Sequence, residues 1–169
     1  LDANTTGAKN TALGYGALSA NTTADSNTAV GYLSLQTNTT GTGNHAFGTW
    51  ALYSNSTGDH NTAYGRSTLY TNSTGSNNVA MGRNALSGAT TASGNTALGY
   101  AALGANTTGT ENTAVGRGAL QVNTTASYNT AVGDQALDAN TTGTRGVAVG
   151  NNALTSNTTG DYNIACGDS

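Results

Sequence analysis

The chain has 169 residues, of which 36% are hydrophobic, 8% are charged and none is proline. Its formal net charge of -3 excludes an electrostatic footprint for nucleic acid. No run of about 18 apolar residues offers a membrane span, and the single Cys166 cannot form an internal disulfide. The sequence opens LDANTTG, without an initiating methionine or a signal segment, so we interpret residues 1–169 as one repeat domain from a longer fibrous protein.

A 17-residue repeat runs through the whole chain. Its idealised unit is N-T-A-V-G-x-x-A-L-x-x-N-T-T-G-x-x, and ten copies fit because 17 × 10 is one more than the chain length. Seventeen residues are few for two helices and a turn, and abundant Asn, Thr and Gly lower helix propensity. The repeat therefore predicts an all-β fold, a β-solenoid of about ten coils stacked about 4.8 Å apart. Each coil is expected to hold two short strands of about 4–5 residues, joined by two turns.

The first predicted strand of each unit carries an invariant alanine followed by a variable apolar residue. Each repeat position becomes a column in a stacked solenoid, and uniform alanine favours a tightly packed interior wall. Alternation along a strand places the next residue on the opposite face, where it forms an apolar stripe along the outside. A second copy of the chain is the simplest cover for such a stripe. The alternative arrangement puts the variable side chains inside and the alanines outside.

The second predicted strand carries an invariant leucine, which we assign to the interior opposite the alanines. Each buried leucine contributes about 1.5–3 kcal/mol relative to exposure. The predicted core ladder consists of Leu18, Leu35, Leu52, Leu69, Leu86, Leu103, Leu120, Leu137, Ala29, Ala46, Ala63, Ala80, Ala97, Ala114 and Ala131.

The N-T-T-G segment forms the predicted second corner of each coil. Asparagine tolerates left-handed backbone angles, and stacked asparagines can bond along a ladder, so we expect a structural role. The uniform second threonine is expected to satisfy a buried turn group with its hydroxyl. Asn-x-Thr is also a glycan acceptor motif in secreted proteins. The candidate acceptors are Asn4, Asn21, Asn38, Asn55, Asn72, Asn106, Asn123, Asn140 and Asn157.

The segments NTAVG at 27–31, 112–116 and 129–133, with NVAMG at 78–82 and GVAVG at 146–150, resemble the head repeats of trimeric autotransporter adhesins. Similar repeats occur in tail fibres of bacterial viruses. The resemblance implies a left-handed parallel β-roll, with three chains side by side in a stalk or head that binds surfaces. The longer turn LxxNTTGxx and the strict 17-residue step depart from the adhesin pattern.

The sequence predicts no catalytic, metal or cofactor site. Catalysis needs a few unlike residues converging in a pocket, whereas this chain offers like residues in rows. His45 and His60 are the only histidines. Calcium-binding β-rolls need repeated aspartates, and the corresponding column here holds only Asp25, Asp59 and Asp161.

Aromatic residues concentrate in adjacent coils and give the candidate ligand site. Stacked aromatic rings with polar tips can bind sugar rings, although surface scatter or an interface lining explains them equally well. A weaker pair is Tyr15 and Tyr32. The candidate carbohydrate-contact patch consists of Phe47, Trp50, Tyr53, Tyr64 and Tyr70.

These features predict a structural and adhesive segment of an extracellular fibre, at a cell surface or on a virion. Its expected partners are copies of itself and a host-surface glycan or receptor, with no membrane insertion in this segment. Two alternatives remain: a self-assembling fibril with a mechanical role, and an ice-binding or carbohydrate-binding solenoid. Ice binding is disfavoured because adjacent threonines on an extended chain point to opposite sides, so two parallel ranks are missing.

Overall fold

A computed structural model describes residues 1–168. This part of the chain contains ten β-strands and no helix. Each strand has three residues: β1 Thr11–Leu13, β2 Thr28–Val30, β3 His45–Phe47, β4 Thr62–Tyr64, β5 Val79–Met81, β6 Thr96–Leu98, β7 Thr113–Val115, β8 Thr130–Val132, β9 Val147–Val149 and β10 Ile164–Cys166. The strands form one parallel sheet in the order β1 to β10. The fold is therefore a β-solenoid.

The register of the sheet reproduces the 17-residue period. Thr11 pairs with Thr28 and Ala12 with Ala29, and every later pair of strands keeps the same step. Ten strands are joined by nine such steps, so the repeats of the sequence coincide with the coils of the solenoid.

Each coil contains one strand, and the expected second strand is wrong. The leucine segment is a series of turns because its backbone is left-handed, with φ of 53° at Leu18 and 54° at Leu33. A strand needs negative φ at every residue. Backbone bonds still join neighbouring coils here: the N–H of Leu18 donates to the carbonyl of Ser34 at 3.0 Å, and that of Leu35 to Ala51 at 2.9 Å.

The core is a narrow seam between the leucine and alanine columns. All fifteen residues of the predicted core ladder have no exposed surface. A third column, which begins at Ala17 and includes Ser34 and Thr68, is also buried. Because these side chains are mostly one carbon long, the two walls of each coil lie close together, and the core is thin.

The variable apolar residue of each strand faces outward, as the first arrangement predicts. We name this column the strand file; it consists of Leu13, Val30, Phe47, Tyr64, Met81, Leu98, Val115, Val132, Val149 and Cys166. Exposure is 67% at Leu13 and 50% at Met81, against 0% for the neighbouring Ala80. The alternative arrangement, with alanines outside, is excluded.

Two files of buried asparagines hold the corners of the coils. In the first, the Nδ2 of Asn38 donates to the Oδ1 of Asn21 at 3.2 Å and to the carbonyl of Gly41 at 2.9 Å. In the second, the Oδ1 of Asn27 accepts from the backbone N–H of Asn44 at 2.9 Å. Buried amides are stable only when paired, and these files pair them through the coil above and the coil below.

Candidate functional site: an aromatic groove across the coils

The five residues of the candidate carbohydrate patch separate onto two faces. Phe47 and Tyr64 belong to the strand file, where their ring centroids lie 5.8 Å apart. Trp50 and Tyr70 instead line a groove near the leucine side of the coil. The sequence places these residues in neighbouring coils, but the direction of each side chain depends on its position within the coil. The single predicted patch is therefore two surfaces.

Tyr53 and Tyr70 occupy the same column in successive coils and stack on each other. Their ring centroids are 5.2 Å apart and the planes differ by 12°. The next two positions of this column are Ser87 and Gly104. The aromatic stack therefore stops at Tyr70, and one face of that ring has no aromatic neighbour in its column.

The groove begins where the stack stops. It encloses about 400 Å³ and is lined by Trp50, Ser67, Tyr70, Asn84, Ser87, Gly88 and Gly104. A second groove of about 280 Å³ shares Asn84, Ser87 and Gly104 with it. The second groove ends among Tyr100, Gln121 and Val122. We name the two together the Tyr70 groove. The groove forms because the columns that carry aromatic rings in earlier coils carry small residues in these coils.

Sequence reasoning missed the residues that form the floor and rim of this groove. Ser67, Asn84 and Ser87 are unremarkable in the sequence, and Gly88 and Gly104 read as ordinary turn glycines. The one sequence signal for the groove is that the column of Tyr53 and Tyr70 continues with two small residues. A change from large to small side chains predicts a depression in the surface only once the columns are aligned in space.

Arginine side chains lie against aromatic rings that line the groove. The guanidinium of Arg66 lies 5.2 Å from the Trp50 ring centroid, and that of Arg83 lies 5.8 Å from Tyr100. Tyr32 approaches Trp50 edge-on at 6.4 Å and stacks on Tyr15 at 5.5 Å. Arg66 therefore holds Trp50 as a wall of the groove, and no residue that lines the groove is charged.

The carboxylates are placed for structure. The Oδ1 of Asp25 accepts from the N–H of Ala8, and that of Asp59 from the N–H of Thr42, both at 2.7 Å. The same kind of bond, from the N–H and hydroxyl of Thr144, lowers the pKa of Asp161. Burial raises the pKa of Asp138, and the nearby Arg117 partly opposes that effect. In residues 1–168, no three His, Cys, Asp or Glu side chains converge in a cluster that could hold a metal ion.

The folded coil leaves no room for glycans on the asparagines of the buried file. Asn21, Asn38, Asn55, Asn72, Asn106, Asn123 and Asn140 have no exposed surface. The Nδ2 that would carry a sugar is committed, as in Asn55, where it donates to Asn38 and to Gly58. Asn4 is exposed and Asn157 is partly exposed, but each uses its Nδ2 in the same turn bond. A glycan on a buried member would prevent the stacking of its coil.

The two threonines of each N-T-T-G turn have different roles, and the role expected for the second one is wrong. The first threonine or serine donates its hydroxyl to the backbone of the next coil in eight places. The second is exposed in every coil, for example at Thr57 and Thr125, and its hydroxyl bonds to no residue in the described part of the chain. Only the second threonine of each turn therefore forms an outward-facing row, because the hydroxyl of the first one is bonded to the backbone.

Comparison with protein-family models, curated proteins and solved structures finds no match. Within residues 1–168 there is no helix long and apolar enough to cross a membrane.

Proposed function

We propose that this chain is a structural and adhesive segment of an extracellular fibre, built from copies that lie side by side. The observation that carries the proposal is the strand file. It presents an apolar side chain from every coil along one face of the regular solenoid. Monomeric soluble proteins rarely expose so continuous an apolar row, and such rows usually mark an interaction surface.

The hydrogen bonding of the coil supports a mechanical role. Neighbouring coils are joined at the strand, at the leucine turn and at both asparagine files, for example by Thr28 to Asn44 at 2.8 Å and Leu52 to Thr68 at 3.0 Å. Bending or opening the rod would break several of these bonds at once. A stiff shaft that resists proteolysis follows, since local opening needs the loss of whole coils.

The size of the strand file favours a partner of matching regularity. Nine steps of about 4.8 Å and a contact width of about 10 Å give an area of about 430 Å². Stable protein pairs bury about 800 Å² per partner. The flanking columns, which begin at Thr11 and Tyr15, would therefore share the contact. A second copy offers the same apolar spacing, and the resemblance to adhesin heads implies three copies around one axis.

Sedimentation of the purified chain tests the side-by-side arrangement. The wild type is expected to sediment as a discrete oligomer. The double variant Val132→Asp with Val149→Asp should sediment as a monomer, because it places charges on the strand file without altering the core. The control pair, Thr125→Asp with Thr142→Asp, adds equal charge at exposed turn positions and should leave the oligomer intact. A monomeric wild type, or an oligomer in which both pairs behave alike, would refute the arrangement.

Attachment is the second part of the proposal. A fibre that adheres needs variable side chains on a regular support, and here the variable residues are exposed while the invariant leucines and alanines are buried. The partner is a glycan or receptor at another surface. Purified protein immobilised on beads should hold cells or polysaccharide-coated particles, and heat-unfolded protein should not.

The alternatives give different results in solution. A purely mechanical fibril would elongate end to end and retain no bound particles. Ice binding would depress the freezing point below the melting point. The single outward rank of threonines, which includes Thr57 and Thr125, supports ice binding less well than two parallel ranks would.

A further inference from the structure

We propose that the Tyr70 groove binds a neutral sugar chain, with one pyranose ring stacked on the free face of Tyr70. This inference deepens the adhesive function proposed above by naming its ligand class, and it rests on that function. The structural basis is the end of the aromatic stack, together with polar groups that have no protein partner.

The free face of Tyr70 gives the site its platform. Tyr53 covers one face at a centroid distance of 5.2 Å, and the column continues with Ser87 and Gly104, which carry no ring. Three coils separate Tyr70 from Gln121, a span of about 14 Å at the usual strand spacing. The larger groove, of about 400 Å³, lies within the usual range of about 300–1,000 Å³ for ligand sites. Several sugar rings can therefore lie along it.

The rim of the groove offers hydrogen bonds that the fold does not use. The side chains of Asn84 and Ser67 make no hydrogen bond with any residue in the described range. They supply two amide donors, an amide acceptor and a hydroxyl. A pyranose matches this arrangement, because its C–H face packs on an aromatic ring and its hydroxyl rim pairs with amides and hydroxyls. A planar aromatic ligand would leave these polar groups unpaired.

The uncharged lining of the groove favours a neutral sugar. No lining residue is acidic or basic. The guanidinium groups of Arg66 and Arg83 lie against the rings of Trp50 and Tyr100 and are not lining residues. A sugar acid or phosphate would find no free countercharge in the lining, whereas a neutral hexose or N-acetylhexosamine chain needs none.

Trp50 makes the test direct, since it is the only tryptophan in the chain and lines the groove. The probes are tetrasaccharides of β1→4-linked glucose, N-acetylglucosamine and mannose and of α1→4-linked glucose. At least one is expected to change Trp50 fluorescence and to receive saturation transfer at its ring C–H protons. N-acetyltyrosinamide serves as the aromatic probe and is expected not to bind.

A matched pair of variants locates the site. Ser87→Tyr extends the Tyr53 and Tyr70 stack into the groove and should weaken sugar binding by about tenfold or more. Ser19→Tyr makes the same change in the same column, away from the groove, and should bind as the wild type does. Both should fold, because the column already accepts tyrosine in two coils.

Three results would overturn the proposal: no saturation transfer to any sugar at about 10 mM, equal binding by Ser87→Tyr and the wild type, or binding of the aromatic probe alone. Sedimentation tests the side-by-side arrangement separately from these three results. A chain that forms the oligomer but binds no sugar therefore refutes this inference and leaves the side-by-side arrangement intact. A monomeric chain that binds sugar refutes the side-by-side arrangement and supports this inference.

Discussion

The buried Oδ1 of Asn72 has no hydrogen-bond partner, because Ala89 stands at the position where the next coil would supply an asparagine amide. Elsewhere in this file the amide reaches back one coil, as from Asn72 to Asn55 at 2.9 Å. The Nδ2 of Asn106 also lacks its backward acceptor and donates only to the carbonyl of Gly109. One substitution in the repeat thus interrupts two amide contacts.

Ala89→Asn should raise the free energy of unfolding. The new amide would donate to Asn72 and accept from Asn106, two bonds worth about 1–3 kcal/mol together. Urea unfolding followed by circular dichroism measures the effect. Ala89→Leu, which adds bulk without an amide, should be destabilising. If Ala89→Asn is no more stable than the wild type, the two missing amide contacts do not lower the free energy of unfolding.

Leucines at different positions of the coil should respond very differently to truncation. Leu103 is fully buried, so Leu103→Ala should cost about 2–5 kcal/mol. Leu13 is 67% exposed, and Leu13→Ala should change stability by less than about 0.5 kcal/mol. Thermal melts of the two variants compare identical chemistry in two surroundings. Similar shifts in melting temperature would contradict the assignment of interior and exterior columns.

Left-handed positions should favour glycine even on the surface. Glu111 has a φ of 56°, and the same column carries Gly43 and Gly94. Left-handed backbone costs a residue with a Cβ about 1–2 kcal/mol, so Glu111→Gly should stabilise the coil by about 1 kcal/mol. Thr108→Gly, at an exposed position outside the left-handed set, should destabilise it. If the denaturant midpoint falls for Glu111→Gly as well as for Thr108→Gly, the left-handed backbone at Glu111 does not destabilise the coil.

Asp138 should make stability depend on pH. Burial raises its pKa in the folded chain, so the folded state binds its proton more tightly than the unfolded state does. The favourable contribution is complete below the unfolded pKa and is lost as pH rises through the folded one. Asp138→Asn should therefore be more stable than the wild type at pH 7, with the gain vanishing in acid. The range from about pH 2 to pH 7 spans the ordinary titration of a carboxyl group. If the difference in unfolding free energy between the two proteins stays constant over this range, Asp138 does not have this role.

The period of the sequence predicted the solenoid because a gapless repeat leaves few ways to bury a leucine in every unit. It also predicted the facing of Ala80 and Met81, since neighbouring residues on a strand must point apart. The second strand was wrong because residue type does not reveal left-handed backbone when the residue is leucine. Leu18 has little intrinsic preference for positive φ, so only packing of the whole coil places it there.

The Tyr70 groove was only partly predictable. Trp50 and Tyr70 stood out as aromatics, but Asn84 and Ser87 become lining residues through alignment of columns in three dimensions. Phe47 was included in the predicted patch because it is close in sequence to the other aromatic residues. In the structure it lies on another face, because strand residues and turn residues of one coil point in different directions. The glycan acceptors illustrate the same limit, since the motif at Asn55 is visible in the sequence and its burial is not.

The buried asparagine file also gives the rod a direction. From Asn21 to Asn4, from Asn38 to Asn21 and from Asn55 to Asn38, each side-chain amide donates one N–H to the asparagine of the earlier coil. Aligned dipoles polarise one another. Any stack of these coils therefore has a donor pole and an acceptor pole, and two stacks that meet along their common axis can continue the file only head to tail.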